Sequence, residues 1–108
     1  MDIKQKYISC DSRLKLLVCK DGDDWIVGFE NSEWHTHGDL LVPEYGDSPA
    51  IAAEHFIKAI LEDREIIAIS EFPNKPSIIS ITDDPESERK HKLPEETLTI
   101  RTWSGKKG

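Results

Sequence analysis

Leu14-Lys15-Leu16-Leu17-Val18-Cys19-Lys20-Asp21-Gly22-Asp23-Asp24-Trp25-Ile26-Val27-Gly28-Phe29 reads as a β-hairpin. Leu14, Leu16 and Val18 alternate with Lys15, Leu17 and Cys19, and alternation sends successive side chains to opposite faces of a strand. Asp21-Gly22-Asp23-Asp24 is the turn. Gly22 supplies a positive φ without steric cost, and the aspartates bond their own backbone. On the return strand Trp25, Val27 and Phe29 share a face, so the hairpin has a strong core side.

Outward from the hairpin, Lys4 to Cys10 reads as a preceding strand, and the first arm of the hairpin runs from Arg13 to Lys20. Asn31-Ser32 is a second tight turn, followed by a strand over at least part of Trp34 to Val42. Pro43-Glu44-Tyr45-Gly46-Asp47 is a loop punctuated by Pro and Gly. Ser48-Pro49 is a strong helix start: Ser48 caps, and Pro49 takes the first position, where a missing N–H costs nothing. A helix is expected over Ser48 to Asp63, with Ala53, Phe56, Ile57, Ile60 and Leu61 as its apolar stripe. Glu54 and Lys58 form an i, i+4 pair on its wet face. Glu65 to Phe72, Ser77 to Thr82 and Thr97 to Trp103 read as three more strands. Asp83 to Glu96 is a polar, acidic connection with two prolines. Sequential strands with short turns favour antiparallel pairing. The expectation is a single α+β domain over residues 1–108. Its architecture would be a twisted antiparallel sheet of about five to six strands with one main helix packed on one face.

Composition narrows the function. At 108 residues with 37% hydrophobic and 32% charged, the chain has a modest core. No apolar run approaches the roughly 18 residues of a membrane helix. The polar start, Met1-Asp2-Ile3-Lys4-Gln5-Lys6, lacks the apolar stretch of a signal peptide. A cytoplasmic location is expected. Cys10 and Cys19 are too few for a disulfide framework and lack CxxC spacing, so reduced, partly buried thiols are expected. The net charge of −7 argues against nucleic acid, and Lys106-Lys107 is too small a basic spot to reverse it. An acidic surface speeds encounter with a basic protein.

The chemistry-bearing motif is Trp34-His35-Thr36-His37-Gly38-Asp39. In an extended strand His35, His37 and Asp39 point one way and Trp34 and Thr36 the other. Four readings compete. The residues are structural, with Gly38 marking a bulge. Or His35, His37 and Asp39 hold zinc or another divalent ion, with water at the open position and Glu30 or Glu33 as a base; neither His55 nor His91 is clearly brought in. Or Cys10 or Cys19 acts as a nucleophile with a histidine, although nothing clearly depresses either thiol's pKa. Or Trp34, with Trp25, Tyr45 and Trp103, offers aromatic anchors in a field of Asp23, Asp24, Glu30, Glu33, Glu44 and Asp47. Within the metal reading, His35-Thr36-His37 resembles the HxH segment of JAMM-type metalloproteases. The resemblance ends there: Gly38 stands where that family has Pro, Tyr45 where it has Ser, and Ser48 where it has Asp.

The layout resembles the small immunity proteins of bacterial toxin systems, of the contact-dependent inhibition and polymorphic toxin type. The resemblance rests on Gly28-Phe29-Glu30, on Trp34 through Leu41, on the Ala-rich helix after Ser48-Pro49, and on Arg101-Thr102-Trp103-Ser104-Gly105. It implies a non-enzymatic module, without cofactor, that binds and neutralises one cognate toxin domain. Such toxins include nucleases with basic clefts. The residues expected to meet the partner are Trp34, Glu30, Glu33, Glu44, Asp47, His35 and His37. The alternative is a metal-binding protein or small metal-dependent hydrolase centred on His35, His37 and Asp39.

Overall fold

The computed structural model describes residues 2–30, 32 and 34–105. The fold is α+β, with two antiparallel sheets and three helices among the described residues. The first sheet has the order β1-β2-β3-β4, formed by β1 (Asp2–Ile8), β2 (Lys15–Asp21), β3 (Asp24–Phe29) and β4 (His35–His37). The helices α1 (Gly38–Tyr45) and α2 (Pro49–Leu61) follow. The second sheet has the order β6-β5-β7, from β5 (Ile66–Glu71), β6 (Ile78–Thr82) and β7 (Thr97–Arg101), with α3 (Pro85–Lys90) between its last two strands.

This corrects the expectation of one sheet and one main helix. The break comes at Gly38, where the expected strand over Trp34 to Val42 stops and α1 begins. A Cβ on Gly38 would lie 2.7 Å from the carbonyl oxygen of Pro49, so a bare backbone lets α1 rest against the start of α2. With β4 only three residues long, the first sheet offers little edge for β5 to extend. The later strands build their own sheet around β5, which pairs with β6 on one side and β7 on the other. The acidic connection, read as a plain link, contains helix α3. Asp84 caps α3 by accepting from the Ser87 N–H at 3.1 Å, with Pro85 in the first turn.

The hairpin forms as read: β2 and β3 pair from Leu16↔Phe29 to Asp21↔Asp24, and Gly22 has φ +62°. Helix α2 also forms as read. The Ser48 side chain accepts from the Ile51 N–H at 3.3 Å, and Ala53, Phe56, Ile57 and Ile60 are buried. One continuous core joins these parts, with Leu14, Leu16, Val18, Val27 and Phe29 from the hairpin meeting Phe56, Ile57 and Ile60 from α2, Ile67 from β5 and Trp103. Cys10 is exposed and Cys19 buried, both as free thiols, so burial was right for one of the two.

Among the described residues, polar ties span the two sheets. Ser32 Oγ accepts from the Ile79 N–H at 2.9 Å and donates to the Ile79 carbonyl at 3.0 Å, occupying the backbone of edge strand β6. Arg101, at the end of β7, reaches Asp11 in the β1–β2 connection.

Candidate functional site

The registers settle which side chains share a face of the first sheet. Leu16↔Phe29, Val18↔Val27 and Val27↔Thr36 lie on the helix-covered face. Leu17↔Gly28↔His35 and Cys19↔Ile26↔His37 lie on the other. His35 and His37 therefore do point together, their rings 5.1 Å apart and edge-on, as the alternation predicts.

Asp39 does not share their strand face. The strand ends at His37, and Asp39 lies in the first turn of α1, where the i, i+4 relation of a strand no longer applies. This corrects the expected trio on one strand face. Among the described residues, no three His, Cys, Asp or Glu side chains are grouped to hold a metal ion.

What assembles instead is an acidic recess of about 340 Å³, lined by Asp23, Asp24, His37, Asp39, Leu40 and Pro49. Three elements build it. The β2–β3 turn delivers Asp23 and Asp24. β4 delivers His37, opposite Ile26 and so diagonal to Asp24 across the ladder. Helix α1 delivers Asp39 and Leu40 at its start, where a carboxylate is favoured by the helix dipole. The Nδ1–H of His37 donates to Asp24 Oδ2 at 2.8 Å, since an ionised carboxylate only accepts. His37 occupies the N-cap position of α1 without capping it, because its ring is turned to Asp24. Leu40 is 68% exposed, an apolar side chain in a ring of carboxylates. Such a recess suits a guanidinium or ammonium head with an aliphatic stem.

The remaining sequence-derived candidates are spread out. Trp34 is half-buried, packs its ring 6.1 Å from that of Phe29, and donates its backbone N–H to Ser32 Oγ at 3.4 Å. Its core side, unrecognised in the sequence, is the helix-covered face it shares with Phe29. Glu30 lies just beyond the end of β3 opposite the Asp21–Asp24 turn. It pairs with Lys6 at 3.1 Å and Lys15 at 3.7 Å, and these cations, Lys6 foremost, hold its carboxyl below the usual range. Glu33 lies outside the described residues. Asp47 is exposed between α1 and α2. Glu44, exposed on α1, adds its charge to a second polar cluster. There the Tyr45 hydroxyl donates to Glu65, and the Tyr45 carbonyl accepts from His55 Nδ1 at 2.7 Å. Burial first, then Glu44 and Asp83, push the Glu65 carboxyl upward.

Sequence reasoning named Asp23 and Asp24 as part of an acidic field but missed Leu40 and Pro49 as recess walls. The signal for Leu40 was the Leu40-Leu41 pair: in a helix one buries, here Leu41, and its neighbour faces out. Compared with models of protein families, with curated proteins and with solved structures, the chain matches none.

Proposed function

We propose that this chain is a non-enzymatic protein-binding module that acts in the cytoplasm as an immunity protein, binding and neutralising a cognate basic toxin domain. The observation that carries the reading is the convergence of Asp23, Asp24 and Asp39 around exposed Leu40, with His37 already held by Asp24. The net charge of −7 extends the same field over the molecule. Single exposed ion pairs contribute only about 0–1 kcal/mol, so the carboxylates mainly steer encounter and select a basic partner. Affinity requires an apolar anchor, which Leu40 offers at the recess and Trp34 offers at the far side of β4. A nuclease cleft fits this chemistry, because an acidic surface occupies it as a phosphate backbone would.

The test is binding kinetics against the toxin domain encoded beside this gene, at low and high salt. Asp23→Asn with Asp39→Asn is expected to slow association and flatten its salt dependence. Leu40→Ala and Trp34→Ala are expected to speed dissociation, by a factor of about 10 or more for a central anchor. Unchanged rates in all these variants would remove this surface, and absence of any binding partner there would remove the immunity reading.

A further inference from the structure

Helix α2 crosses the first sheet over β3, so the same sheet face stays partly uncovered toward β1. A slot of about 410 Å³ runs through that gap. Its floor is Val18 with the half-buried rings of Tyr7 and Trp25, all on the helix-covered face by register. Its wall is one flank of α2 from Ala50 to Leu61, a length of about 16 Å. Ala50 and Ala53 stand where larger side chains would close the gap. The volume falls in the range of about 300–1,000 Å³ usual for small-molecule sites. No lining residue is shared with the acidic recess.

The slot has two distinct ends. Trp25 lies toward the start of α2, because its neighbour Ile26 pairs with His37, and Gly38 rests on Pro49. Tyr7 lies four register positions further along the sheet, opposite Leu16 and Phe29, toward the end of α2 where Lys58 stands. Glu54 and Lys58, an i, i+4 pair in the sequence, form no ion pair. Among the described residues neither head group has a partner, and nor has the Tyr7 hydroxyl. Lys20 Nζ lies 5.1 Å from the centre of the Trp25 ring, so two of the three charges at the slot are positive.

We propose that this slot binds a linear monocarboxylate of medium chain length. Its aliphatic tail lies along α2 toward Trp25, and its carboxylate accepts from Lys58 Nζ and the Tyr7 hydroxyl. The shape selects an unbranched chain, since a compact ring system would leave most of the length unfilled. The walls select the tail: Val18, Ile57, Leu61 and the two alanines offer no hydrogen bond to a polar one. The free donors select the head. An ammonium and a phenolic hydroxyl both give a hydrogen bond to a carboxylate, and such charge-assisted bonds are the stronger kind. Glu54 opposes an anion, and Lys20 offsets it.

The experiment is calorimetric titration of the full chain with decanoate, octanoate, octanol and octyltrimethylammonium, each kept below micelle formation. Amide chemical shifts locate the bound decanoate. Decanoate is expected to bind about tenfold more tightly than octanoate, for two further buried methylenes. Octanoate should exceed octanol, and octyltrimethylammonium should be weakest. Lys58→Gln should weaken octanoate about tenfold and leave octanol unchanged. Tyr7→Phe should weaken octanoate severalfold with the same selectivity, and Glu54→Gln should tighten it. Ala50→Leu should weaken every ligand by narrowing the slot, with circular dichroism and denaturant unfolding verifying its fold. Lys58 is exposed, so Lys58→Gln keeps the test open if Ala50→Leu does not fold. No binding of decanoate to the parent chain would overturn the proposal. So would octyltrimethylammonium binding as tightly as octanoate, equal loss of octanoate and octanol in Lys58→Gln, or shifts that map away from Tyr7, Trp25 and α2.

Discussion

Arg101 Nη1 stands 2.6 Å from Asp11 Oδ2, although the two residues are 90 positions apart in the chain. The guanidinium is buried. Its Nε and Nη2 donate to the carbonyls of Thr102 and Trp103, each at 2.9 Å. The other oxygen of Asp11 accepts from Ser9 Oγ at 2.6 Å and from the Arg13 N–H at 3.2 Å. One ion pair thus fastens the last strand of the second sheet to the first connection of the first sheet.

Removing the carboxylate leaves that buried cation uncompensated. A fully buried pair broken on one side costs about 3–5 kcal/mol, and partial exposure of Asp11 lowers the expectation for Asp11→Ala to about 2–3 kcal/mol. The Arg101 hydrogen bond, then Ser9, hold the Asp11 carboxyl well below the usual carboxylate range. Its stabilisation is therefore complete above the unfolded value of about 3.9 and is lost as pH falls through the lower folded value. Denaturant unfolding from neutral pH downward should show a shallower acid limb in Asp11→Asn than in the parent.

Glu65 should behave with the opposite sign. Burial and the nearby charges of Glu44 and Asp83 raise its carboxyl, so the folded state binds the proton more tightly than the unfolded one. The favourable contribution is present below the unfolded value of about 4.3 and is lost as pH rises through the folded value. Glu65→Gln keeps an acceptor for the Tyr45 hydroxyl and removes the titration. The melting temperature of the parent relative to Glu65→Gln should fall between acidic and neutral pH. A constant difference would show that Glu65 is not perturbed.

Phe56 is 3% exposed under α2, with the Tyr45 ring edge-on at 5.4 Å. Phe56→Ala should cost about 3–5 kcal/mol in denaturant unfolding. A cost near zero would mean that α2 does not press this face into the core.

Gly38→Ala isolates the α1–α2 contact. Alanine gains up to about 1 kcal/mol of helix preference over glycine. Its Cβ, however, would lie 2.7 Å from a backbone oxygen of Pro49, which has no side-chain torsion to move it away. The clash is expected to win, with a net loss of about 1–2 kcal/mol. A stabilised variant would show that the helices are not in close contact there.

Features that act over a few neighbouring residues were legible. The alternation of Leu14, Leu16 and Val18, the Asp21–Asp24 turn, and the Ser48-Pro49 start with its apolar stripe each carry their cause within one element. So does the pairing of His35 with His37 on one strand face. Helix α3 was not read from the sequence: Asp84-Pro85 repeats the cap-then-proline pattern of Ser48-Pro49, but its polar turns carry no apolar stripe.

The sequence by itself thus determined the hairpin, the long helix, the α+β class and the acidic surface, because backbone preference and side-chain periodicity are local properties. Only the tertiary structure decided that the strands divide into two sheets, that the chain turns helical at Gly38 against Pro49, and that Arg101 finds Asp11. It also decided that Asp39 leaves the strand face of His35 and His37 and meets His37 again, with Asp23, Asp24 and Leu40, in the recess. Each of these depends on which distant segment lies alongside. That choice is made by the shared core of Phe29, Phe56, Ile67 and Trp103, whose burial no short window of residues contains.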